Sequence, residues 1–131
     1  MEELYKIGIS ENTIKNMLEL VPSILEISEN EVKEKELILE KINCDENQIL
    51  NIISSNPMYL DRTNEEILKL INKLKLYRFS ELNILFDSNP YILNLEVFEI
   101  EEYINSRLNN GETLENIIDD LDSNPLLFNE I

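Results

Sequence analysis

The chain has 131 residues, of which 43% are hydrophobic and 29% charged, a composition typical of a folded domain or a short repeat array rather than a disordered segment. Its formal net charge of −16 comes from 27 acidic and 11 basic residues, and a field of that sign repels polyanions at long range. Histidine is absent and cysteine occurs once, which excludes an internal disulfide, a cysteine-cluster metal site and the usual general base near neutral pH.

The first residues are acidic, Met1-Glu2-Glu3-Leu4, which argues against a secretory signal or an arginine-rich transit peptide. No apolar run approaches the ~20 residues that a membrane-spanning helix needs. We therefore expect a cytoplasmic protein that does not contact a membrane, unless processing has already removed a leader.

One short motif recurs along the chain and contains all four prolines. Ser-Asn-Pro followed by three mainly apolar residues occurs at 55–60, 88–93 and 123–128, and a looser copy occurs at 21–25. Successive prolines are 35, 33 and 35 residues apart. A period of this size indicates an array of repeats, each of which is one supersecondary unit.

Residues 1–7 are interpreted as the tail of a helix from an incomplete leading repeat. The only two glycines, Gly8 and Gly111, both lie fourteen residues before a proline, and Asn43 fills the same place in the second copy. Gly and Asn tolerate the left-handed turn that ends a helix. A helix, which we name helix B, is therefore predicted to end just before each of these positions.

Helix A of each repeat is predicted between this turn and the proline. Ser10, Asp45 and Thr113 stand twelve residues before their prolines and are good N-cap types. Arg78 fills this place in the third copy, so Ser80 is predicted to cap a helix about two residues shorter. Apolar residues eight and four positions before each proline form one helical stripe. They are Ile14 and Leu18, Ile49 and Ile53, Leu82 and Phe86, and Ile117 and Leu121.

The prolines end helix A, because the ring pushes the preceding residue out of helical space. An apolar pair after each proline is predicted to enter the core. The pairs are Ile24 and Leu25, Tyr59 and Leu60, Ile92 and Leu93, and Leu127 and Phe128. Helix B then begins at Ser28 or Thr63, and the pairs Ser28 with Glu31 and Thr63 with Glu66 fit capping boxes. In helix A of the second repeat, Asp45 with Gln48 also fits a capping box. The predicted inner positions of helix B are Val32, Leu39 and Ile42; Ile67, Leu70, Ile71 and Leu74; and Val97, Ile100, Ile104 and Leu108.

The order helix A, proline turn, helix B predicts an all-α solenoid of about three and a half repeats, because each helix pair buries its apolar stripe against the next pair. We expect a single domain over residues 1–131, with repeats at roughly 8–42, 43–76, 77–110 and 111–131. Tetratricopeptide and ankyrin arrays have similar periods. The absence of alanine and of a Thr-Pro-Leu-His turn argues against both.

These features resemble the repeats of the mitochondrial transcription termination factor (mTERF) family. The resemblance lies in the opening Ile7-Gly8-Ile9-Ser10, the proline turns at 21–25 and 55–60, and the Ser- or Thr-capped second helix, and it covers nearly the whole chain. It implies a curved, right-handed superhelix with two helices and a short 3₁₀ turn per repeat. It also implies binding of nucleic acid along a basic groove, in organellar gene expression.

No group of residues predicts catalysis, a cofactor or a metal. The serines and Cys44 have no evident activating partner, and two isolated glycines cannot form a phosphate-binding loop. Acidic runs at 101–102 and 119–122 are interpreted as solvated helix surface, and the alternative is a metal site with oxygen ligands. Cys44 fills the place held by Ile9 and Tyr77 in neighbouring copies and is predicted to be a small buried hydrophobe. We therefore expect no enzyme activity.

A single basic cluster is the candidate interaction patch. It contains Lys69, Lys73, Lys75 and Arg78. Glu65 and Glu66 precede Lys69 by one helical turn, so pairing within the helix explains part of the run. The cluster is either solvated surface or a docking patch for an acidic partner or for nucleic acid. Beyond it, Arg107 is the only basic residue against twelve acids.

The charge favours a non-catalytic module that binds a protein partner, such as a basic segment, through its acidic surface. The alternative is a nucleic-acid-binding regulator of transcription that uses the basic cluster, although binding to a duplex needs several Lys or Arg to neutralise phosphates. A third hypothesis is an acidic mimic of nucleic acid that acts as an inhibitor. Residues 128–131 follow the last proline turn, so they either fold back or leave an edge for self-association.

Overall fold

The computed structural model describes residues 1–131, and all of its regular elements are helical. The α-helices are α1 (Glu2–Lys6), α2 (Glu11–Leu20), α3 (Glu29–Lys41), α4 (Glu46–Ser55), α5 (Met58–Asp61), α6 (Asn64–Leu76), α7 (Leu82–Ser88), α8 (Val97–Asn109) and α9 (Leu114–Ser123). Three 3₁₀ turns begin at prolines: η1 (Pro22–Glu26), η2 (Pro90–Asn94) and η3 (Pro125–Glu130). None of the helices combines the length and apolar character needed to cross a bilayer.

The helices stack in two rows joined by a row of turns. Helix α4 contacts α2 and α7 in the A row, while α3 contacts α1 and α6, and α6 contacts α8, in the B row. The four turns η1, α5, η2 and η3 also contact one another in succession. A cluster of 32 buried hydrophobic residues runs through the stack. The predicted all-α repeat fold is therefore confirmed, whereas its right-handed sense and the repeat bounds stay predictions.

The helix starts follow the predicted caps. At Ser10, Ser28, Asp45, Thr63 and Thr113 the side-chain oxygen accepts a hydrogen bond from the backbone N–H three residues later. Full capping boxes form at Asp45 and at Thr63, as predicted. At Ser28 half of the predicted capping box forms. The Glu31 N–H donates to the Ser28 hydroxyl, whereas no hydrogen bond joins the Ser28 N–H to the Glu31 carboxylate. These starts are predictable because every partner lies within one turn of the chain.

The predicted cap of the third A helix is wrong. Helix α7 begins at Leu82, after Glu81, and no side chain caps it. The Ser80 hydroxyl instead donates to Asp122 Oδ2 at 3.1 Å, a residue of the next repeat. The helix has 7 residues against 10 in α2, α4 and α9, so it is three residues shorter rather than two.

The B helices end in one repeated hydrogen-bond pattern. Gly8, Asn43 and Gly111 have positive φ angles of 100°, 72° and 92°, as predicted, and Arg78 joins them at 69°. In each case the backbone N–H of the residue that follows donates to the carbonyl oxygen five residues before it, with N···O distances of 3.0–3.3 Å. This is the Schellman motif. Phe79 therefore matches Ile9 and Cys44 in position, and the earlier match to Tyr77 is wrong because the third copy is two residues shorter.

The apolar stripes are mostly where the spacing predicts. Seven of the eight helix A positions are buried, and Leu18 is half-buried. In α8, Val97 is half-buried and Leu108 is 38% exposed, so Leu108 does not belong to the inner stripe. The inward position of the last turn is taken by the preceding residue, Arg107, whose equivalents Leu74 and Leu39 are fully buried.

Leu25 is the one member of the post-proline pairs that points into solvent, at 68% exposed. Its equivalent Phe128 is buried against the ring of Phe79 from the preceding repeat, with ring centroids 5.8 Å apart. The same contact shows that the last residues fold back onto the stack, which was one of the two expected outcomes.

The asparagine of the Ser-Asn-Pro motif connects neighbouring repeats. Asn56 Nδ2 donates to the Pro90 carbonyl and to Asn94 Oδ1, both at 2.9 Å. Asn89 Nδ2 donates in the same way to the Pro125 carbonyl at 2.9 Å and to Asn129 Oδ1 at 3.0 Å. The first two Ser-Asn-Pro motifs therefore each supply a link to the turn of the next repeat.

Candidate interaction surfaces

The basic cluster lies on α6 and on the turn that follows it, and half of its charge is paired. Lys69 Nζ is 3.3 Å from Glu65 Oε1 on the same helix. Lys73 Nζ is 3.6 Å from Glu101 Oε2 on α8 and lies 5.0 Å from the ring centroid of Tyr77. Lys73 is therefore held against other side chains of the protein, whereas the Lys69 pair lies in solvent, with the Lys69 side chain 69% exposed.

The other two members of the basic cluster are exposed and make no ion pair, but they do not share one site. Lys75 lines a shallow depression together with Lys41, which the sequence did not single out. Arg78 lines a different depression, beside Glu115 and Asp119 of α9. The structure therefore divides the cluster among three places. The depression with Lys41 and Lys75 holds two cations that make no ion pair, and Glu81 also lines it.

Arg62 is a structural residue that the sequence pattern did not reveal. Its Nη1 donates to the backbone carbonyls of Leu93 at 2.6 Å and Leu95 at 2.9 Å. Its Nη2 contacts Glu96 at 3.1 Å and Glu66 at 3.4 Å, and the side chain is only 9% exposed. The guanidinium thus joins two repeats and is not available to a partner.

The last basic residue, Arg107, is also neutralised inside the molecule. Its Nη2 lies 2.5 Å from both Glu112 Oε1 and Asp120 Oδ2, and these carboxylates raise the pKa of the guanidinium further above its usual range. Glu102 and Glu115, by contrast, are exposed and make no ion pair. The surface from α8 onward therefore has no unpaired cation.

Lys35 is an unexpected buried lysine between the repeats at 8–42 and 43–76. It is 4% exposed, its Nζ donates to Asn64 Oδ1 at 2.6 Å, and burial lowers its pKa. The buried Tyr59 hydroxyl donates to the Lys35 carbonyl at 2.6 Å, and burial raises the pKa of that phenol. Both residues link neighbouring repeats and neither faces a cleft.

A pair of acidic side chains lies between α1 and α3. Glu3 is 8% exposed, and Glu36 has one carboxylate oxygen buried without a hydrogen-bond partner. Burial, followed by the nearby carboxylates of Glu3 and Glu40, raises the pKa of Glu36 to about 7. The depression that they line also contains Lys6 and Glu46. The sequence gives no sign of this pair, because the two residues are 33 positions apart.

Cys44 is buried, as predicted. It is 8% exposed, and burial followed by the charges of Asp87 and Asp45 raises the pKa of its thiol to about 12. A thiolate is the reactive form of cysteine, so this thiol is poorly suited to nucleophilic chemistry. No three His, Cys, Asp or Glu side chains converge where they could hold a metal ion.

Two stacked rows of helices, joined by proline turns and tied together by inter-repeat asparagines, define an α-helical repeat protein. The mTERF family model matches residues 1–118 of this chain. That match covers most of the chain, and the protein belongs to the mTERF family. No curated protein matches the chain.

Proposed function

We propose that the protein is a non-catalytic interaction module that binds a basic protein, or a basic segment of one, through its acidic surface. The observation that carries this proposal is the balance of unpaired charge. Five of the 11 basic residues are in ion pairs or, for Lys35, buried, whereas only seven of the 27 acids are in ion pairs. Unpaired acids therefore outnumber unpaired bases about threefold, and such a surface attracts cationic partners.

The absence of catalysis is part of the same proposal. Glu36 is the carboxyl whose pKa comes close to neutrality, and it faces other carboxylates in an open depression. The single thiol is buried, with its pKa raised well above neutrality. No serine, threonine or cysteine lines the depression around Glu36, and Cys44 lies near the charges of Asp87 and Asp45 rather than near a cation that would stabilise a thiolate.

Regulation of transcription through nucleic-acid binding is the second candidate, and two observations favour it. The protein belongs to the mTERF family, and Lys75 and Lys41 are exposed, line one depression together with Glu81 and make no ion pair. Arg78 is also exposed and makes no ion pair. Phosphate contacts of this kind supply most non-specific affinity for nucleic acid, and they weaken steeply with salt.

Fluorescence anisotropy separates the two candidates. The probes are a labelled lysine-rich peptide, a labelled DNA duplex and a labelled single-stranded RNA, each titrated from low to physiological salt. We expect the peptide to bind and both nucleic acids to fail at every salt concentration. Salt-sensitive binding of DNA or RNA that is lost in Lys75→Glu/Arg78→Glu, but kept in the exposed control Lys15→Glu, would replace the proposal with the second candidate.

The acidic-mimic hypothesis is a special case of the first proposal, in which the basic partner is itself a nucleic-acid-binding protein. A competition experiment distinguishes this case, because added DNA would bind the basic partner and release it from this protein. Self-association through the C-terminal edge, where Leu114 of α9 is 43% exposed, is a separate proposal. A strict monomer in light scattering at high concentration would contradict it.

A further inference from the structure

Three exposed apolar side chains occupy the same position in successive turns. Met58, Tyr91 and Leu126 each directly follow the proline of a Ser-Asn-Pro motif, and they are 44%, 56% and 61% exposed. The turns α5, η2 and η3 contact one another in succession. Equivalent positions therefore lie side by side, and we name these three residues the turn row.

The fold does not need apolar side chains at this position. The next residues of the turns, Tyr59 and Ile92, are fully buried and already supply the contact with the core. In the first repeat the equivalent of the turn row is Ser23, whose hydroxyl donates to Asp61 Oδ1 at 2.8 Å. A polar residue is thus accepted there, and apolar side chains in three consecutive turns are typical of a surface that binds a partner.

The charges beside the turn row have one sign. Within the turns, counted from three residues before each proline to five after it, the acids are Glu19, Glu26, Asp61, Asp87, Asp122 and Glu130. The only basic residue in these stretches is Arg62, which is 9% exposed and bonded to the carbonyls of Leu93 and Leu95. The turns that carry the row therefore contain acidic side chains and no available cation.

We propose that the turn row binds an amphipathic helix of a partner protein, with its apolar stripe on Met58, Tyr91 and Leu126 and flanking lysines or arginines on the acids of the turns. This inference rests on the proposed function and gives it a surface and a class of partner. Packed helices lie about 8–10 Å apart. The turns follow these helices and contact one another, so we assign a similar spacing to neighbouring members of the row. A helix advances about 10.5 Å over seven residues, so apolar residues at every seventh position match the row.

The test uses the full chain and a labelled peptide of about 20 residues, with leucine at every seventh position, helix-forming residues between and lysines at the flanks. A scrambled peptide of the same composition lacks the stripe. The turn-row variant is Met58→Ser/Tyr91→Ser/Leu126→Ser, which copies Ser23. The matched control is Leu37→Ser/Leu68→Ser/Leu76→Ser, which removes three side chains from the B row that are 50%, 45% and 76% exposed.

We expect the wild-type protein and the control variant to bind the amphipathic peptide about tenfold more tightly than the scrambled peptide, and the turn-row variant to lose that preference. Circular dichroism verifies that both variants are folded. Equal binding of both peptides by wild type, unchanged in the turn-row variant, would overturn this inference and leave the proposed function standing. Failure of every basic peptide would overturn both.

Self-association gives a different result. If the row were a contact between two copies of this chain, sedimentation would show a wild-type dimer that the turn-row substitutions dissociate, and the peptide would not bind. That outcome would also overturn the inference. A monomeric wild type that binds the amphipathic peptide through the row supports it.

Discussion

Asn56 and Asn94 exchange a reciprocal pair of amide hydrogen bonds across neighbouring repeats. Asn56 Nδ2 donates to Asn94 Oδ1 at 2.9 Å, and Asn94 Nδ2 donates to Asn56 Oδ1 at 3.0 Å. Asn56 is 1% exposed, and it also donates to the Pro90 carbonyl. At Asn56 the residue that precedes the proline therefore ends one helix and also fastens the next repeat to it.

Asn56→Ala should lower the free energy of unfolding by about 2 kcal/mol, because the buried Pro90 carbonyl and the Asn94 amide lose their partner. Urea unfolding followed by circular dichroism measures the change. Asn124→Ala is the matched control, since Asn124 occupies the same place in the last motif but is exposed and makes no side-chain hydrogen bond. We expect Asn124→Ala to lower the free energy of unfolding by less than about 0.5 kcal/mol. Equal effects in both variants would show that the inter-repeat bonds contribute nothing beyond the motif itself.

Cys44 should react with a thiol reagent only after the chain opens. The buried thiol, with its raised pKa, has little thiolate at pH 8, so labelling should be slower by about 100-fold than in the urea-unfolded chain. A colorimetric disulfide reagent measures the rate. The control is the Cys44→Val/Ser123→Cys variant, which moves the thiol to an exposed position at the end of α9. Native wild type that reacts as fast as this control would contradict the buried assignment.

Local signals and long-range contacts differ in how far the sequence reveals them. The caps at Asp45 and Thr63 were predictable because their partners lie three residues away. Ser80 was assigned wrongly because its hydroxyl finds an acceptor 42 residues later. Arg62 and its carbonyl partners are more than 30 residues apart, and no periodicity encodes that pairing.

The same reasoning explains the candidate sites. The four residues of the basic cluster are close in sequence, but their surroundings depend on which acids neighbouring helices bring near. Glu101 of α8 neutralises Lys73, and Lys41 of α3 accompanies Lys75. The turn row could have been read from the sequence, because the residue after each proline is visible in the motif. Its exposure could not, since Tyr59 and Ile92, the next residues in two of the turns, are equally apolar and are buried.

Arg78→Gly should raise the free energy of unfolding by about 0.5–1 kcal/mol. Arg78 has a φ angle of 69°, the left-handed conformation that glycine adopts without steric cost at two of the other three helix ends. We expect relief of that strain to exceed the extra flexibility of glycine in the unfolded chain.

Lys75→Gly is the control for Arg78→Gly, because it removes a neighbouring exposed cation from the last turn of α6. It should destabilise by about 0.5–1 kcal/mol, since glycine disfavours a helical conformation. Urea unfolding at one ionic strength measures both variants. If Arg78→Gly destabilises the protein as Lys75→Gly does, the strain at Arg78 is not relieved.

Glu36 should make the protein less stable as the pH rises through neutrality. Its folded-state pKa of about 7 lies above the ordinary value of 4.5, so the protonated form is favoured by folding. The contribution is fully present below about pH 4.5 and is lost as the pH rises through 7. The surrounding charges are Glu3 and Lys6 on α1, Lys33 and Glu40 on α3, and Glu46 on α4.

The Glu36→Gln variant removes this titration while keeping a side chain of similar size. Between pH 5 and 8 the wild-type free energy of unfolding should fall by about 1 kcal/mol more than that of the variant, a figure reduced for partial solvent screening. Urea unfolding at each pH measures the difference. Glu115→Gln, which alters an exposed carboxyl on α9, should keep the wild-type pH dependence. If Glu36→Gln also keeps it, the carboxyl is ionised in the folded protein at pH 5, and the pair between α1 and α3 does not hold a proton.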